Sequence, residues 1–124
     1  MDATTERLVD FAWRAEFDTL SAVTVHECKR RLIDTFGSAL SAYDEPVSQM
    51  ARNIARQYSG TSLASVWGST LKTTPEAAAF ANGVMVRFMD ISDTYVGKSR
   101  GHPSDVIAAI VAVVIALQIG LRDL

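Results

Sequence analysis

The stretch 106-VIAAIVAVVIALQIGL-121 contains no charged residue and no proline, and it constrains the fold more than any other part of the chain. Its unbroken apolar part runs from Val106 to Leu117. That is short of the roughly 20 residues needed to cross a bilayer. A helix that is apolar on all its faces is otherwise a central core helix with neighbours on every side. The remaining helices are few for that purpose. The expectation is therefore an unfinished core, completed by a second copy (a homodimer) or by association with a further, C-terminal portion.

Helical periodicity dominates what precedes. Leu8, Phe11, Ala12 and Ala15 share a face of a first helix, over about 4–16. Thr24 with Glu27 three positions on reads as a capping box opening a second, to about Tyr43, with Leu32, Ile33, Phe36, Ala39, Leu40 and Tyr43 on one face. Lys29, Arg30 and Arg31 read as a solvated basic run. Pro46 opens a third helix to about Tyr58, with Val47, Met50, Ala51, Ile54 and Ala55 inward. Thr74-Pro75 is a cap followed by proline at the first helical position, and a fourth helix follows to about Met89. The fifth spans Pro103 to about Gly120. Ser65-Val66-Trp67-Gly68 is a short extended fragment, and strand signal is otherwise nearly absent. The expected fold class is all-α, a single helical domain over 1–124.

Charge narrows the function. A formal net charge of −2 and a pI near 5.6 leave no footprint for nucleic acid. The single cysteine, Cys28, excludes an intramolecular disulfide and fits a reducing cytoplasm. The N-terminus lacks the basic-then-apolar order of a secretory signal. No His, Cys or Asp set has metal-ligand spacing, and no GxSxG, GxGxxG or Walker sequence occurs.

Chemistry-bearing residues concentrate in 89-MDISDTYVGKSRGHPSD-105, between the last two helices. Asp90, Asp93 and Thr94 lie at or just past the end of one helix, and His102, Pro103 and Ser104 at the start of the next. Free N–H groups at that start, with Lys98 and Arg100 nearby, suit a small carboxylate ligand. A histidine oriented by an aspartate can move a proton. The same residues are also ordinary capping, turn and solvated surface residues, and spacing alone leaves both readings open.

The run 75-PEAAAFANGVMVRFMDISDTYVGKSRGHPSD-105 resembles the signature region of the MmgE/PrpD family: an alanine-rich helix ending in Asn-Gly, then Asp-x-x-Asp-Thr, then His-Pro-Ser opening a long apolar helix. The stretches 34-DTFGSALSAYDEP-46 and 65-SVWG-68 extend the likeness over most of the chain. It implies a lyase of small tricarboxylic acids that uses no metal or organic cofactor, typically as a dimer. The step from Thr94 to His102 and the Gly-His-Pro-Ser-Asp ending look more like the 2-methylcitrate dehydratase branch than the cis-aconitate decarboxylase branch.

Carried over position by position, the family's active-site aspartate, threonine and histidine fall on Asp90, Thr94 and His102. The resemblance then casts His102 and Asp90 in acid–base roles and Thr94 as a substrate ligand. Lys98, Arg100 and Ser104, at or beside the start of the apolar helix, are assigned to substrate carboxylates from charge and placement. Family members are several hundred residues long, with a second α+β domain closing over the site. A non-catalytic helical interaction module, or a truncated fragment, is the competing reading of so short a chain.

Overall fold

In the computed structural model, residues 2–60, 63–98 and 100–117 are described. The chain divides into two compact units, residues 1–30 and 31–124. Helices carry nearly all of the regular structure, as the periodicity predicts: α1 Ala3–Arg14, α2 Ala22–Ser41, α3 Pro46–Ala55, α4 Pro75–Phe88 and α5 Ile107–Leu117.

In the first unit, Asp2 caps α1 by accepting from the Thr4 and Thr5 N–H groups. None of the α1 residues is buried, including Leu8 and Phe11, which periodicity places on an inward face. Helix α2 starts two residues earlier than its capping-box signature suggests. The hydroxyl that accepts the Thr24 N–H belongs to Ser21, so Thr24 itself lies inside the helix.

The second unit is organised around α4, which packs against both α3 and α5. Thr74 caps it by accepting the Ala77 N–H, with Pro75 at its first position. The fully buried residues of α4 are mostly small: Ala77, Ala78, Ala81 and Asn82, with Met85 and Val86. Its neighbours answer with small residues too, Ser48, Ala51 and Ala55 beside Arg52 from α3, and Ala108 and Ala112 from α5.

This reverses the expected orientation of several faces. Val47, Met50 and Ile54 of α3 are exposed, as are Ile33 and Leu40 of α2. Helix α5 is not enclosed either: Val106, just before it, and Ile110, Val113 and Leu117 within it remain 47–59% exposed. Close helix approach selects the alanine face, and the bulky apolar face is left outward. A 3₁₀ turn, Pro103–Val106, precedes α5, so the α-helix proper begins four residues after Pro103. The expected end of this helix near Gly120 lies outside the described residues. Among those residues, no helix is long and apolar enough to cross a membrane.

Between α3 and α4 the chain forms a two-residue hairpin, β1 Ala64–Ser65 with β2 Lys72–Thr73, paired antiparallel. Gly68, at its turn, has φ +73°, and a Cβ there would come within 2.9 Å of the Tyr43 ring. Phe36 meets Trp67 edge-on, with ring centroids 4.4 Å apart. Two buried polar side chains fasten this segment. Thr73 donates to the Ala55 carbonyl at 2.7 Å. Asn82, fully buried on α4, accepts the Trp67 N–H at 2.9 Å and donates to the Ser65 carbonyl at 3.0 Å.

The Asn82 pair yields a direct test. Replacing Asn82 by alanine strands a buried donor and a buried acceptor, each costing about 1–3 kcal/mol. Urea denaturation of Asn82→Ala is expected to show a clearly lowered midpoint with circular dichroism still helical at zero denaturant. An unchanged midpoint would refute the fastening role.

Candidate functional site

The loop from the end of α4 to the start of α5 is not a plain connection. It contains a second antiparallel hairpin, β3 Tyr95–Val96 with β4 Arg100–Gly101, that periodicity does not anticipate. Folding the middle of the loop back on itself brings the residues on either side of the hairpin together. Asp93 and His102, nine positions apart in sequence, meet there.

Asp93 holds three partners. One carboxylate oxygen pairs with the Arg31 guanidinium. The other accepts the Ser104 N–H at 3.0 Å. Its backbone carbonyl lies 2.7 Å from His102 Nδ1. A carbonyl oxygen can only accept, so in this contact Nδ1 carries the proton. The Asp93 side chain is only 11% exposed. Burial acts to raise its pKa, but Ser104 and the Arg31 guanidinium outweigh it and hold the carboxyl below its ordinary value of 3.8. The Ser104 hydroxyl is buried and makes no hydrogen bond of normal geometry in the structure.

Asp90 occupies a different environment. It follows the last residues of α4 with φ +51°, in the left-handed region, and its side chain is largely exposed. Arg87 reaches it at 3.0 Å and also approaches the Asp105 carboxylate at 3.6 Å, linking the end of α4 to the turn that opens α5. The ring of His102 bonds to the Asp93 carbonyl and not to Asp90, so of the two roles open to Asp90, partner of His102 or complementary acid–base group, the Nδ1 contact belongs to another residue. His102 occupies the cap position of the 3₁₀ turn but makes no side-chain capping bond. Thr94, Lys98 and Arg100 are exposed along the hairpin segment. Lys98 and Arg100 form no ion pair among the described residues.

Asp93 and Arg31 are the members whose positions sequence reasoning leaves unassigned. Arg31 reads as part of a solvated basic run, yet it is only partly exposed and faces inward. The available signal is spacing: Arg31 lies four residues before Thr35 and seven before Ser38, both buried. No group of three or more His, Cys, Asp or Glu gathers among the described residues. The larger depressions lie away from the loop, one lined by Tyr43, Arg56, Ser69, Thr70 and Lys72, the other by Ile54, Tyr58, Ala77 and Phe80.

The depressed Asp93 pKa fixes a pH window. Its ionised form stabilises the fold fully above the ordinary value of 3.8, and that contribution is lost as pH falls through the lower folded value. Asp93→Asn is expected to lower stability by about 1–3 kcal/mol at pH 7, with the Arg31 share reduced by water screening. In urea titrations the gap from wild type should close as the solution is acidified through that window. A gap independent of pH would contradict the ionised hub.

Residues 6–124 match the family model for the MmgE/PrpD N-terminal domain. The 2-methylcitrate dehydratase of Salmonella typhimurium (strain LT2) is 33% identical over 109 residues, 85% of this chain and 22% of that protein. The 2-methylcitrate dehydratase of Cupriavidus necator is 34% identical over the same shares. The human cis-aconitate decarboxylase is 32% identical over 84 residues, 67% of this chain and 17% of that protein. The chain thus spans about a fifth of the length of the curated relatives it matches. By the extent of the family match and these identities, the chain belongs to the MmgE/PrpD family.

Proposed function

We propose that this chain carries one part of the active site of a lyase that dehydrates a small tricarboxylic hydroxy acid, such as 2-methylcitrate. The observation that carries the reading is His102, held at Nδ1 by the Asp93 carbonyl, with no partner on Nε2 among the described residues, in the same loop as Asp90, Thr94, Lys98 and Arg100. The relatives named 2-methylcitrate dehydratase support it, and they match more of the chain than those named cis-aconitate decarboxylase. The decarboxylase match keeps loss of carbon dioxide as the second reading.

Dehydration removes a carbon-bound proton and a hydroxide from adjacent carbons. The Nε2 lone pair of His102 takes the proton, the C–H electron pair becomes the new double bond, and the departing hydroxyl leaves as water after receiving a proton from an acid. Asp90 is the complementary acid–base group. Thr94 donates to a substrate hydroxyl or carboxylate. Lys98 and Arg100 supply positive charge for the carboxylates, and Ser104 contributes its buried hydroxyl at the same end of the loop. This reading assigns no metal or organic cofactor to the reaction.

Closure over the site, and cover for the outward apolar faces, come in this reading from further polypeptide: a second copy, or a C-terminal portion such as the longer relatives possess. A cytoplasmic location accords with the single exposed cysteine, Cys28.

The test is dehydration of 2-methylcitrate by the purified chain, followed as absorbance of the unsaturated product. His102→Ala is expected to lower kcat by about 10²–10⁴-fold, the usual worth of a positioned acid–base group. Asp90→Asn, which keeps a residue tolerant of positive φ, should lower kcat comparably, whereas Lys98→Ala and Arg100→Ala should act mainly on KM. Undiminished turnover by His102→Ala sinks the reading, whereas no turnover by folded wild-type chain means that the further polypeptide is required for the chemistry.

A further inference from the structure

We propose that Arg31 and Asp93 act as a positioning pair that fixes neutral His102 in its Nδ1–H tautomer, making Nε2 the ring nitrogen available for proton transfer. The role of Nε2 in catalysis rests on the proposed function; the fixed tautomer does not.

Asp93 is held from two sides. Its two carboxylate oxygens are engaged by different groups, the Arg31 guanidinium from α2 and the Ser104 N–H from the turn before α5. Those anchors lie 62 residues before and 11 residues after it in the chain. With little of the side chain open to water, these two anchors pin the residue in place, and a residue so held has little room to turn its own peptide carbonyl. That carbonyl is what His102 Nδ1 meets at 2.7 Å. A carbonyl has no proton to give, so the contact exists only for an imidazole protonated at Nδ1. A histidine free in water favours the opposite tautomer, with the proton on Nε2. The loop therefore works against the intrinsic preference of the ring, and the hydrogen bond at one nitrogen decides what the other can do.

Among the described residues Arg31 reaches the site through this chain of contacts: it touches Asp93, which touches His102, and no bond runs from it to the ring. It is a positioning residue, and so is Asp93. The hairpin between Asp93 and His102 gives the arrangement its need for an anchor. The Tyr95–Gly101 and Val96–Arg100 pairs hold that hairpin together, and the Arg31 bond ties its base to α2.

The experiment reads the tautomer and requires no turnover. In a His26→Gln background only His102 remains, and the ring nitrogens are observed by long-range ¹H–¹⁵N correlation at pH ~8.5, roughly two units above the ordinary histidine pKa. Wild-type His102 is expected to give a pyrrole-like Nδ1 and a pyridine-like Nε2. Arg31→Met and Asp93→Asn should move both resonances toward the pattern of free histidine, and Arg31→Lys should restore the wild-type pattern in part. Arg31→Met removes a partly exposed side chain, so it keeps the test decisive should an Asp93 variant fail to fold. An Nε2–H pattern in the wild type overturns the proposal, as does an Nδ1–H pattern that persists unchanged in folded Arg31→Met. A fixed Nδ1–H pattern together with undiminished turnover by His102→Ala would count against the proposed function and leave the positioning pair standing.

Discussion

Everything in the second unit depends on how closely other segments can approach α4. Alanines at 77, 78 and 81 remove side-chain bulk from its inward faces, and the residues that meet them are themselves small. Such contacts gain less from apolar area per residue than leucine packing does, and more from close, dense approach. They also let the backbone come near enough for side-chain fastening, as when Asn82 reaches the extended piece at Ser65 and Trp67. A bulkier face on α4 would hold both neighbouring helices further away, and with them the loop that carries the site.

That loop is where the close-packed frame ends and polar chemistry takes over. Two arginines make the ion pairs here: Arg87 with Asp90 and with Asp105, linking the end of α4 to the turn before α5, and Arg31 with Asp93, tying the loop to α2. The links differ in kind. Arg87 is a surface cation between two well-exposed carboxylates, an arrangement worth little to stability. Arg31 meets a carboxylate that is nearly out of water and hydrogen-bonded at its other oxygen, so the pair constrains direction as well as adding energy.

The helices were legible because their starts are written locally: Thr74-Pro75 and Pro46 mark the first residues of α4 and α3, and the structure follows them. The faces were less legible. Hydropathy periodicity places Val47, Met50 and Ile54 of α3 inward together with Ala51 and Ala55, whereas of these five only the two alanines are buried. Where a helix is apolar on one side and small on the other, periodicity and packing disagree. In the site, Asp90, Thr94 and His102 could be singled out from the motif. The partnership of Arg31 with Asp93 could not, because it spans 62 residues and no local spacing encodes it. Nor does any motif reveal that a backbone carbonyl, and not a carboxylate, holds the histidine.

Asp90 runs against two local preferences at once. Its φ of +51° costs an L-residue on the order of 1–2 kcal/mol, a penalty that asparagine moderates and glycine avoids. It also places a carboxylate just past the C-terminus of α4, where the helix dipole favours cations. Arg87 offsets part of the second penalty by reaching the carboxylate at 3.0 Å, but an exposed pair of this kind does not offset the first. Glycine or asparagine would make the same turn at lower cost, so the turn does not account for an aspartate here. Local rules broken without local compensation are what a reactive site requires. In the proposed function that aspartate is the complementary acid–base group. The two aspartates of the loop then differ in kind: Asp90 leaves its carboxylate exposed at an energetic penalty, while Asp93 has its own held between Arg31 and the Ser104 N–H.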